Sequence, residues 1–198
     1  MISKIGSNKN ELYRKLIHIS SSFFPFAYMY LEFNYFFPII IFATSITLFI
    51  NLYFTKYFID IPIISSIIPR VLRKYEQTSL WGASYMLIAY SLIVIIFPKD
   101  IVIISMIITS ISDSLAALVG INYGEIKLIN NRTLEGSFTF FIASYLLFFL
   151  IIKSINILLM ICLSFTLSLI ELYTPTKYDN FTIPIACSIL MYICKDLL

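Results

Sequence analysis

Apolar residues run through this chain in long segments that short polar stretches separate. A helix that spans a bilayer needs about 20 mainly apolar residues. Segments approaching that length are predicted to be membrane-spanning helices, and there are seven: Leu12–Leu31, Tyr35–Phe54, Gly82–Phe97, Ile101–Gly120, Gly136–Ile152, Ile155–Leu172 and Phe181–Cys194. Another segment, Ile61–Lys74, is apolar and then basic, and Pro62 and Pro69 interrupt it, which favours a re-entrant or interfacial helix. The pattern predicts an all-α, polytopic membrane helix bundle.

The composition supports a membrane protein. Of the 198 residues 60% are hydrophobic and 13% are charged, whereas soluble domains contain about 25% charged residues. The first apolar run follows a basic stretch but shows no small-residue cleavage pattern, so it is expected to be retained as a membrane helix. No linker or internal repeat marks a boundary, and residues 1–198 are predicted to form one integral-membrane domain.

The distribution of Lys and Arg predicts the orientation, because these residues collect on the cytoplasmic side of membrane proteins. With the N-terminus inside, only Lys99, Lys153 and Lys195 of the 14 Lys and Arg residues lie outside. The expected topology is therefore N-in/C-out. It places residues 70–81, 120–136 and 171–180 in the cytoplasm, where nucleotides are found.

The three cysteines, Cys162, Cys187 and Cys194, all lie in apolar segments. They form no Cys-x-x-Cys pair, and no His cluster accompanies them, so neither a zinc site nor a redox motif is predicted. Cys187 and Cys194 are about 10 Å apart along a helix, which is too far for a disulfide.

Asp113 is a carboxylate inside the fourth apolar segment. Because a charged group at mid-membrane costs about 2.5–3.5 kcal/mol on insertion scales, it is expected to face the bundle interior or a polar cavity. Ser110, Ser112 and Ser114 surround it in sequence. A metal ligand is favoured over a structural hydrogen bond to a neighbouring helix.

The polar stretch after this segment contains Gly120, Gly124 and Lys127. The glycines are expected to end the helix or to let the backbone approach a ligand, although Gly-x-x-x-Gly is also a helix-packing pattern. Lys127 supplies a mobile positive charge for a phosphate.

The stretch continues with Arg132, Thr133, Glu135 and Gly136. Arg132 can bind phosphate oxygens in a bidentate manner, and Thr133 can cap the next helix, whose N-terminus attracts anions. Glu135 then lies in the first helical turn, where a carboxylate is favourable. The alternative is a set of topogenic charges beside an ordinary cap.

A second polar corner contains Asp179 and Asn180, just before the last apolar segment. Asp179 is on the same predicted side as Asp113, and Mg²⁺ takes a few carboxylates and completes its shell with substrate phosphates. Asp179 could instead be only an N-cap.

Further candidates for a phosphate site lie in two basic stretches. Arg14 and Lys15 share a helix face with His18, which otherwise fits an interfacial residue. Arg70 and Arg73, followed by Glu76, form a basic stretch that is also typical of anionic-lipid contact. The sequence contains no phosphate loop of the Gly-x-x-x-x-Gly-Lys-Ser/Thr type, no protein-kinase signature and no dinucleotide fingerprint.

These motifs, taken in order, resemble a known family. Ile111-Ser-Asp-Ser-Leu-Ala-Ala-Leu-Val-Gly with Tyr123-Gly124, then Arg132-Thr-Leu-Glu-Gly-Ser and Asp179-Asn-Phe-Thr-Ile-Pro184, are similar to motifs of the CTP-dependent lipid-alcohol kinases. This family includes dolichol (polyprenol) kinase, phytol kinase and CTP-dependent diacylglycerol kinase, and it is related to phosphatidate cytidylyltransferase. Arg14-Lys-Leu-Ile-His18 and Glu76 ahead of Trp81-Gly82 fit the same pattern.

The resemblance implies Mg²⁺-dependent transfer of the γ-phosphoryl group of CTP to a membrane lipid alcohol at the cytoplasmic face. Asp113 and Asp179 would hold Mg²⁺, and Lys127, Arg132 and the helix start at residues 133–136 would hold phosphates. Asp179, Glu135 and His18 are all candidates to accept the hydroxyl proton. The expected partners are CTP, the lipid alcohol and the bilayer, with no nucleic acid.

The chain departs from the family pattern at Asn131, where relatives often carry Lys, and its loop Glu125–Asn131 is short. A cytidylyltransferase-like CDP-lipid synthase is the alternative, and a small membrane transporter ranks lower. The lipid and the oligomeric state are left open.

Overall fold

Helices account for most of the chain that the computed structural model describes, namely residues 13–57, 76, 79–152 and 156–197. In chain order they are α1 (residues 13–20), α2 (Phe23–Tyr30), α3 (Phe33–Tyr57), α4 (Gly82–Ile96), α5 (Lys99–Tyr123), α6 (Leu134–Ile151), α7 (Ile157–Tyr173) and α8 (Asp179–Ile193). Within these residues, β pairing is limited to one isolated bridge between Lys127 and Thr133. The prediction of an all-α fold is confirmed.

The predicted apolar segments are helical, but some of their boundaries differ. The first segment forms two helices, because the chain turns at Ser21 and Ser22, where the Ser21 hydroxyl donates to the carbonyl of His18 (2.5 Å). The fourth does not end at Gly120 as expected, since α5 continues to Tyr123. The predicted interfacial segment at residues 61–74, with Arg70 and Arg73, lies outside the described residues.

Several helices have the length and composition of membrane spans. Among the described residues, three are long and apolar enough: Phe33–Tyr53, Lys99–Tyr123 and Leu134–Ile151. Gly82–Ile96, Ile157–Tyr173 and Asp179–Ile193 are shorter apolar helices. The prediction of a helical protein of membrane type therefore holds at this coarser level.

Helix α5 is the centre of the bundle. Of the 18 residues in its most apolar stretch, 78% are buried, against 22% and 28% in the corresponding stretches of α3 and α6. It packs against α2, α4, α6 and α8. One apolar core, with Phe36 and Tyr90, lies against one part of its surface, and a second core, with Phe140 and Leu167, lies against another. Polar side chains of α5 are therefore enclosed by other helices.

The two ends of the bundle differ in chemistry. At one end, Lys99 donates to the carbonyl of Leu31 (2.9 Å), and the rings of Phe97 and Tyr192 meet edge to face. The other end collects the start of α1, the C-terminal half of α5, the start of α6, the last turn of α7 and the start of α8. The polar corners of the sequence are thus brought to the same end.

Two glycines allow α5 and α6 to approach closely at that end. A Cβ added to Gly120 would lie 2.9 Å from Thr133 Oγ1 and 3.6 Å from the Cα of Gly136. A Cβ added to Gly136 would lie 3.0 Å from the carbonyl oxygen of Ala116. Gly120 is therefore a helix-packing residue inside α5 rather than the residue that ends it, and Gly124 follows the last helical residue.

The loop between α5 and α6 turns at two consecutive asparagines. Asn130 and Asn131 have φ angles of 55° and 60°, in the left-handed region that Asn tolerates better than most residues. The Asn130 amide nitrogen donates to the carbonyls of Leu172 (3.2 Å) and Tyr173 (3.0 Å). It thereby satisfies carbonyls at the C-terminus of α7, which lack helical partners.

Candidate functional site

Charged side chains from four helices and one loop meet at the polar end of the bundle. Lys15 of α1 donates to Asp113 Oδ2 of α5. Arg132, in the loop before α6, pairs through Nη1 with Glu171 of α7 and through Nη2 with Asp179 Oδ2 of α8 (3.1 Å). Its Nη1 also lies 3.8 Å from Asp113 Oδ1. We call Lys15, Asp113, Arg132, Glu171 and Asp179 the charged cluster.

The cluster is almost completely buried. Exposure is 0% for Asp113, 1% for Glu171, 3% for Lys15 and 4% for Asp179, and 11% for the side chain of Arg132. Removing charges from water is costly unless each finds a partner of opposite charge. The ion pairs supply those partners, and three carboxylates against two cations leave one formal negative charge within the cluster.

A second group of polar side chains adjoins Asp113. His18 Nε2 lies 2.7 Å from Asn180 Oδ1 and 3.8 Å from Asp113 Oδ2. Because an amide oxygen can only accept, this contact fits a ring with its proton on Nε2, and a neutral ring of that tautomer has a lone pair on Nδ1. Within the described residues this buried Nδ1 has no hydrogen-bond partner. Asn180 also approaches Gly82 at the start of α4, since a Cβ added to Gly82 would lie 2.7 Å from Asn180 Nδ2. At the same place, Glu76 Oε1 accepts the N–H of Gly82 (2.6 Å).

A cavity of about 310 Å³ lies beside the charged cluster. Three cationic side chains, one carboxylate, the start of α6 and small residues of α5 form its wall. The lining residues are Arg14, Lys15, Ala116, Ala117, Gly120, Ile121, Asn131, Arg132, Thr133, Gly136, Ser137, Glu171 and Thr176.

The start of α6 at this wall is a capped helix N-terminus, as the sequence predicted. Thr133 Oγ1 accepts the N–H of Gly136 (3.2 Å), and Glu135 occupies the first turn. The uncapped N–H groups and the dipole of a helix N-terminus attract anions. The wall thus combines positive side chains with the positive end of a helix.

Most of the predicted site residues are brought together. Asp113 and Asp179 contact the same guanidinium, that of Arg132, so the two acids meet at one end of the bundle as expected. Thr133 and Gly136 line the cavity, as do Gly120, Arg14 and Lys15. His18, Asn180 and Glu76 form the adjoining polar group.

Other predicted residues are not brought into the cavity wall. Lys127 is exposed and pairs through its backbone with Thr133. Glu135 Oε1 accepts the N–H of Ile126 (3.2 Å) in the loop, and Gly124 packs beneath Thr133. Asp179 does not precede the last helix but is its first residue, and its Oδ1 accepts the N–H of Asn180 (2.7 Å).

The carboxylates fit a magnesium ion only in part. Within the described residues, no group of three His, Cys, Asp or Glu side chains is arranged to hold a metal ion. Asp113 Oδ1, however, has no hydrogen-bond partner there, and it is the type of oxygen that Mg²⁺ binds. Of the two predicted ligands, Asp113 thus offers an oxygen, whereas both oxygens of Asp179 are engaged, by Arg132 and by the N–H of Asn180.

Glu171 belongs to the cluster, although no role was predicted for it from the sequence. Such a role could have been predicted, because Glu171 is a carboxylate at the end of an apolar segment. Like Asp113, it is expected to face the bundle interior or a polar cavity. A hydrogen-bonded chain was also missed: Ser110 Oγ lies 2.9 Å from Ser21 Oγ and 3.0 Å from the Tyr90 hydroxyl. This chain links the turn between α1 and α2 to α4 and α5, one helical turn from Asp113.

The fold and the cluster define an α-helical protein of membrane type with a buried, ion-paired site at one end of its bundle. Over 187 residues the chain is 32% identical to the uncharacterized protein RP860 of Rickettsia prowazekii (strain Madrid E), covering 89% of this chain and 90% of that protein. The chain belongs to the same family as this protein. No family model and no solved structure matches the chain.

Proposed function

We propose that this protein is a CTP-dependent lipid-alcohol kinase. It would transfer the γ-phosphoryl group of CTP to a long-chain lipid alcohol, namely a polyprenol such as dolichol, a phytol-type isoprenoid or diacylglycerol. The observation that carries the proposal is the cavity, where Arg14, Lys15, Arg132 and the N-terminus of α6 lie beside buried carboxylates. The resemblance of the motifs to the lipid-alcohol kinases supplies the choice of nucleotide and acceptor.

The cavity wall suits phosphate groups. The Arg132 guanidinium can donate charge-assisted hydrogen bonds to phosphate oxygens, and Lys15 adds a compact charge. At about 310 Å³ the cavity is at the small end of the range for ligand sites, about 300–1,000 Å³. It therefore accommodates a polyphosphate group, while the apolar tail of the acceptor would lie along helix faces in the bilayer.

Asp113 and Asp179 are the residues that would hold Mg²⁺, together with oxygens of the triphosphate. The ion would neutralise charge that develops on the transferred phosphoryl group. The remaining catalysis is positioning and electrostatic stabilisation, which Arg132, Lys15 and the start of α6 supply.

In the proposed reaction the lipid hydroxyl oxygen forms a bond to the γ-phosphorus. The bond from that phosphorus to the β–γ bridging oxygen breaks, and CDP leaves with this oxygen. The hydroxyl proton passes to a base on the protein. In this proposal Asp179 is assigned to Mg²⁺, and Glu135 is held in the loop, where its Oε1 accepts the N–H of Ile126. His18, with its buried Nδ1 lone pair, is therefore the favoured acceptor.

The same proposal includes seven membrane spans with an N-in/C-out orientation and the site facing the cytoplasm. The orientation rests on the distribution of Lys and Arg, of which Lys99, Lys153 and Lys195 fall on the outer side. The end with the charged cluster would then face the cytoplasm, where CTP is available, and the end with Lys99 and Tyr192 would face outward.

A purified sample in detergent or vesicles, incubated with CTP, Mg²⁺ and lipid alcohols, tests the proposal. Formation of CDP and lipid phosphate in equal amounts supports the kinase. Pyrophosphate and a CDP-lipid, formed from a lipid phosphate, would instead indicate the cytidylyltransferase alternative. Asp113→Asn should abolish turnover, and Glu32→Gln, at an exposed acid of the opposite end, should not. Neither CDP nor pyrophosphate from a folded sample contradicts both reactions.

A further inference from the structure

Glu171 is held in place at the cavity wall by two neighbouring elements. It lies two residues before the end of α7 and is 1% exposed. Its Oε1 accepts from Arg132 Nη1, and Ser137 of α6 donates to its Oε2 (3.5 Å). Glu171 and Arg132 both line the cavity, so this ion pair is part of the surface that a ligand would meet.

Carboxylates determine the position of the Arg132 guanidinium. Arg132 belongs to the loop between α5 and α6 and not to a helix. Glu171 takes Nη1, and Asp179 takes Nη2 (3.1 Å). In the proposed function Asp179 would help to hold Mg²⁺. Glu171 has no such assignment, and it is the carboxylate that keeps Arg132 Nη1 in place.

A gain in stability does not by itself explain why the Glu171–Arg132 ion pair is buried. Replacing a buried ion pair by apolar residues of similar volume is often neutral or stabilising, because the cost of desolvation offsets the attraction between the charges. What the pair does supply is a fixed direction for a long, flexible side chain. A guanidinium held through Nη1 by Glu171 keeps a fixed orientation at the cavity wall.

We propose that Glu171 is a positioning residue that holds Arg132 for binding to a polyphosphate. The proposal rests on the proposed function for the nature of the ligand, but not on which reaction follows. Glu171 acts through Arg132, because a carboxylate offers a phosphate oxygen no hydrogen-bond donor. Its removal therefore weakens polyphosphate binding only while Arg132 is present.

A double-mutant cycle on tripolyphosphate binding, measured by calorimetry with Mg²⁺ and without CTP, tests this mechanism. The proteins are the wild type, Glu171→Gln, Arg132→Gln and the double variant. Arg132→Gln should weaken binding by about tenfold to a hundredfold, the value of a charge-assisted hydrogen bond. Glu171→Gln should weaken it by about tenfold, and the double variant should bind no more weakly than Arg132→Gln alone.

Losses that multiply in the double variant would overturn the proposal, because Glu171 would then act independently of Arg132. Absence of tripolyphosphate binding by the wild type would overturn it too. Glu32→Gln is the matched control and should bind like the wild type. If Glu171→Gln does not fold, the cycle is run with Glu171→Asp, which keeps the charge but shortens the side chain by one methylene.

The outcome is separate from that of the turnover experiment. Coupled losses in a protein that converts no CTP would contradict the kinase and leave the role of Glu171 standing. CTP turnover together with independent losses would overturn the role of Glu171 and leave the kinase standing.

Discussion

The Lys15–Asp113 ion pair offers the most direct test of the charged cluster. Asp113→Asn removes the carboxylate and leaves a buried ammonium group, whereas Lys15→Met removes the ammonium group and keeps an apolar side chain of similar length. The double variant removes both charges. Comparing the three variants separates the contribution of the pair to stability from any role in catalysis.

The expected magnitudes follow from the surroundings of each group. Breaking a buried ion pair by removing one partner costs about 3–5 kcal/mol. In the described residues Lys15 pairs only with Asp113, but it also lines the cavity. Because water can reach its ammonium group there, we expect Asp113→Asn to cost about 3 kcal/mol, at the low end of that range.

The cost of Lys15→Met should be smaller. Asp113 retains the guanidinium of Arg132, whose Nη1 lies 3.8 Å from its Oδ1, so its carboxylate is still partly compensated. We expect a loss of about 1–2 kcal/mol. The double variant buries neither charge and should lie within about 1 kcal/mol of the wild type.

Unfolding by a denaturing detergent in mixed micelles measures these free energies. Trp81 is the only tryptophan, and its backbone N–H donates to Asn51 Oδ1 (3.1 Å) near the start of α4, so its fluorescence reports on the polar end. If the costs of the two single variants add in the double variant, the reasoning about the pair is wrong. Under the proposed function the double variant is folded but does not turn over CTP.

The remaining predictions concern helix packing, capping, proton transfer and topology. Gly136→Ala should lower the free energy of unfolding by about 1–3 kcal/mol, because its Cβ would lie 3.0 Å from the carbonyl oxygen of Ala116; an unchanged unfolding midpoint would contradict this packing. Thr133→Ala should cost about 1 kcal/mol through loss of the helix cap, and Thr133→Ser should not. His18→Gln should lower CTP turnover by about 10²–10⁴-fold with little change in tripolyphosphate binding, and an equal loss of both would argue against proton transfer. A thiol placed by Lys195→Cys should react with an impermeant reagent added outside intact cells, and labelling only after lysis would contradict the C-out orientation.

The helices were largely predictable, because length and apolar composition are properties of a segment that the sequence displays. The break between α1 and α2 was not. Ser21 and Ser22 are unremarkable in an apolar run, and the turn depends on a hydrogen bond from the Ser21 hydroxyl to the carbonyl of His18. Gly120 was misread for a related reason, since its role depends on Gly136, a residue of another helix.

The site was predictable in its acids but not in its geometry. Asp113 stands out as a carboxylate in an apolar run, and burial requires a partner for it. Closeness in sequence was a poor guide to the rest of the site. Lys127 is five residues from Arg132, and its backbone pairs with that of Thr133, yet its side chain is exposed. Glu171 was overlooked because its partner, Arg132, is distant in sequence.

The charged cluster also bears on how the helices are held together. Lipid tails are as apolar as helix faces, so helix association in a bilayer depends on close packing and polar contacts more than on the hydrophobic effect. At the polar end α5 and α6 approach through Gly120 and Gly136, whereas ion pairs link α1 to α5 and join α7 and α8 to the loop that carries Arg132. Arg132 is therefore both a residue of the cavity wall and the side chain that joins α7 to α8. Under the proposed function, a ligand bound to Arg132 would contact the side chain that links these two helices.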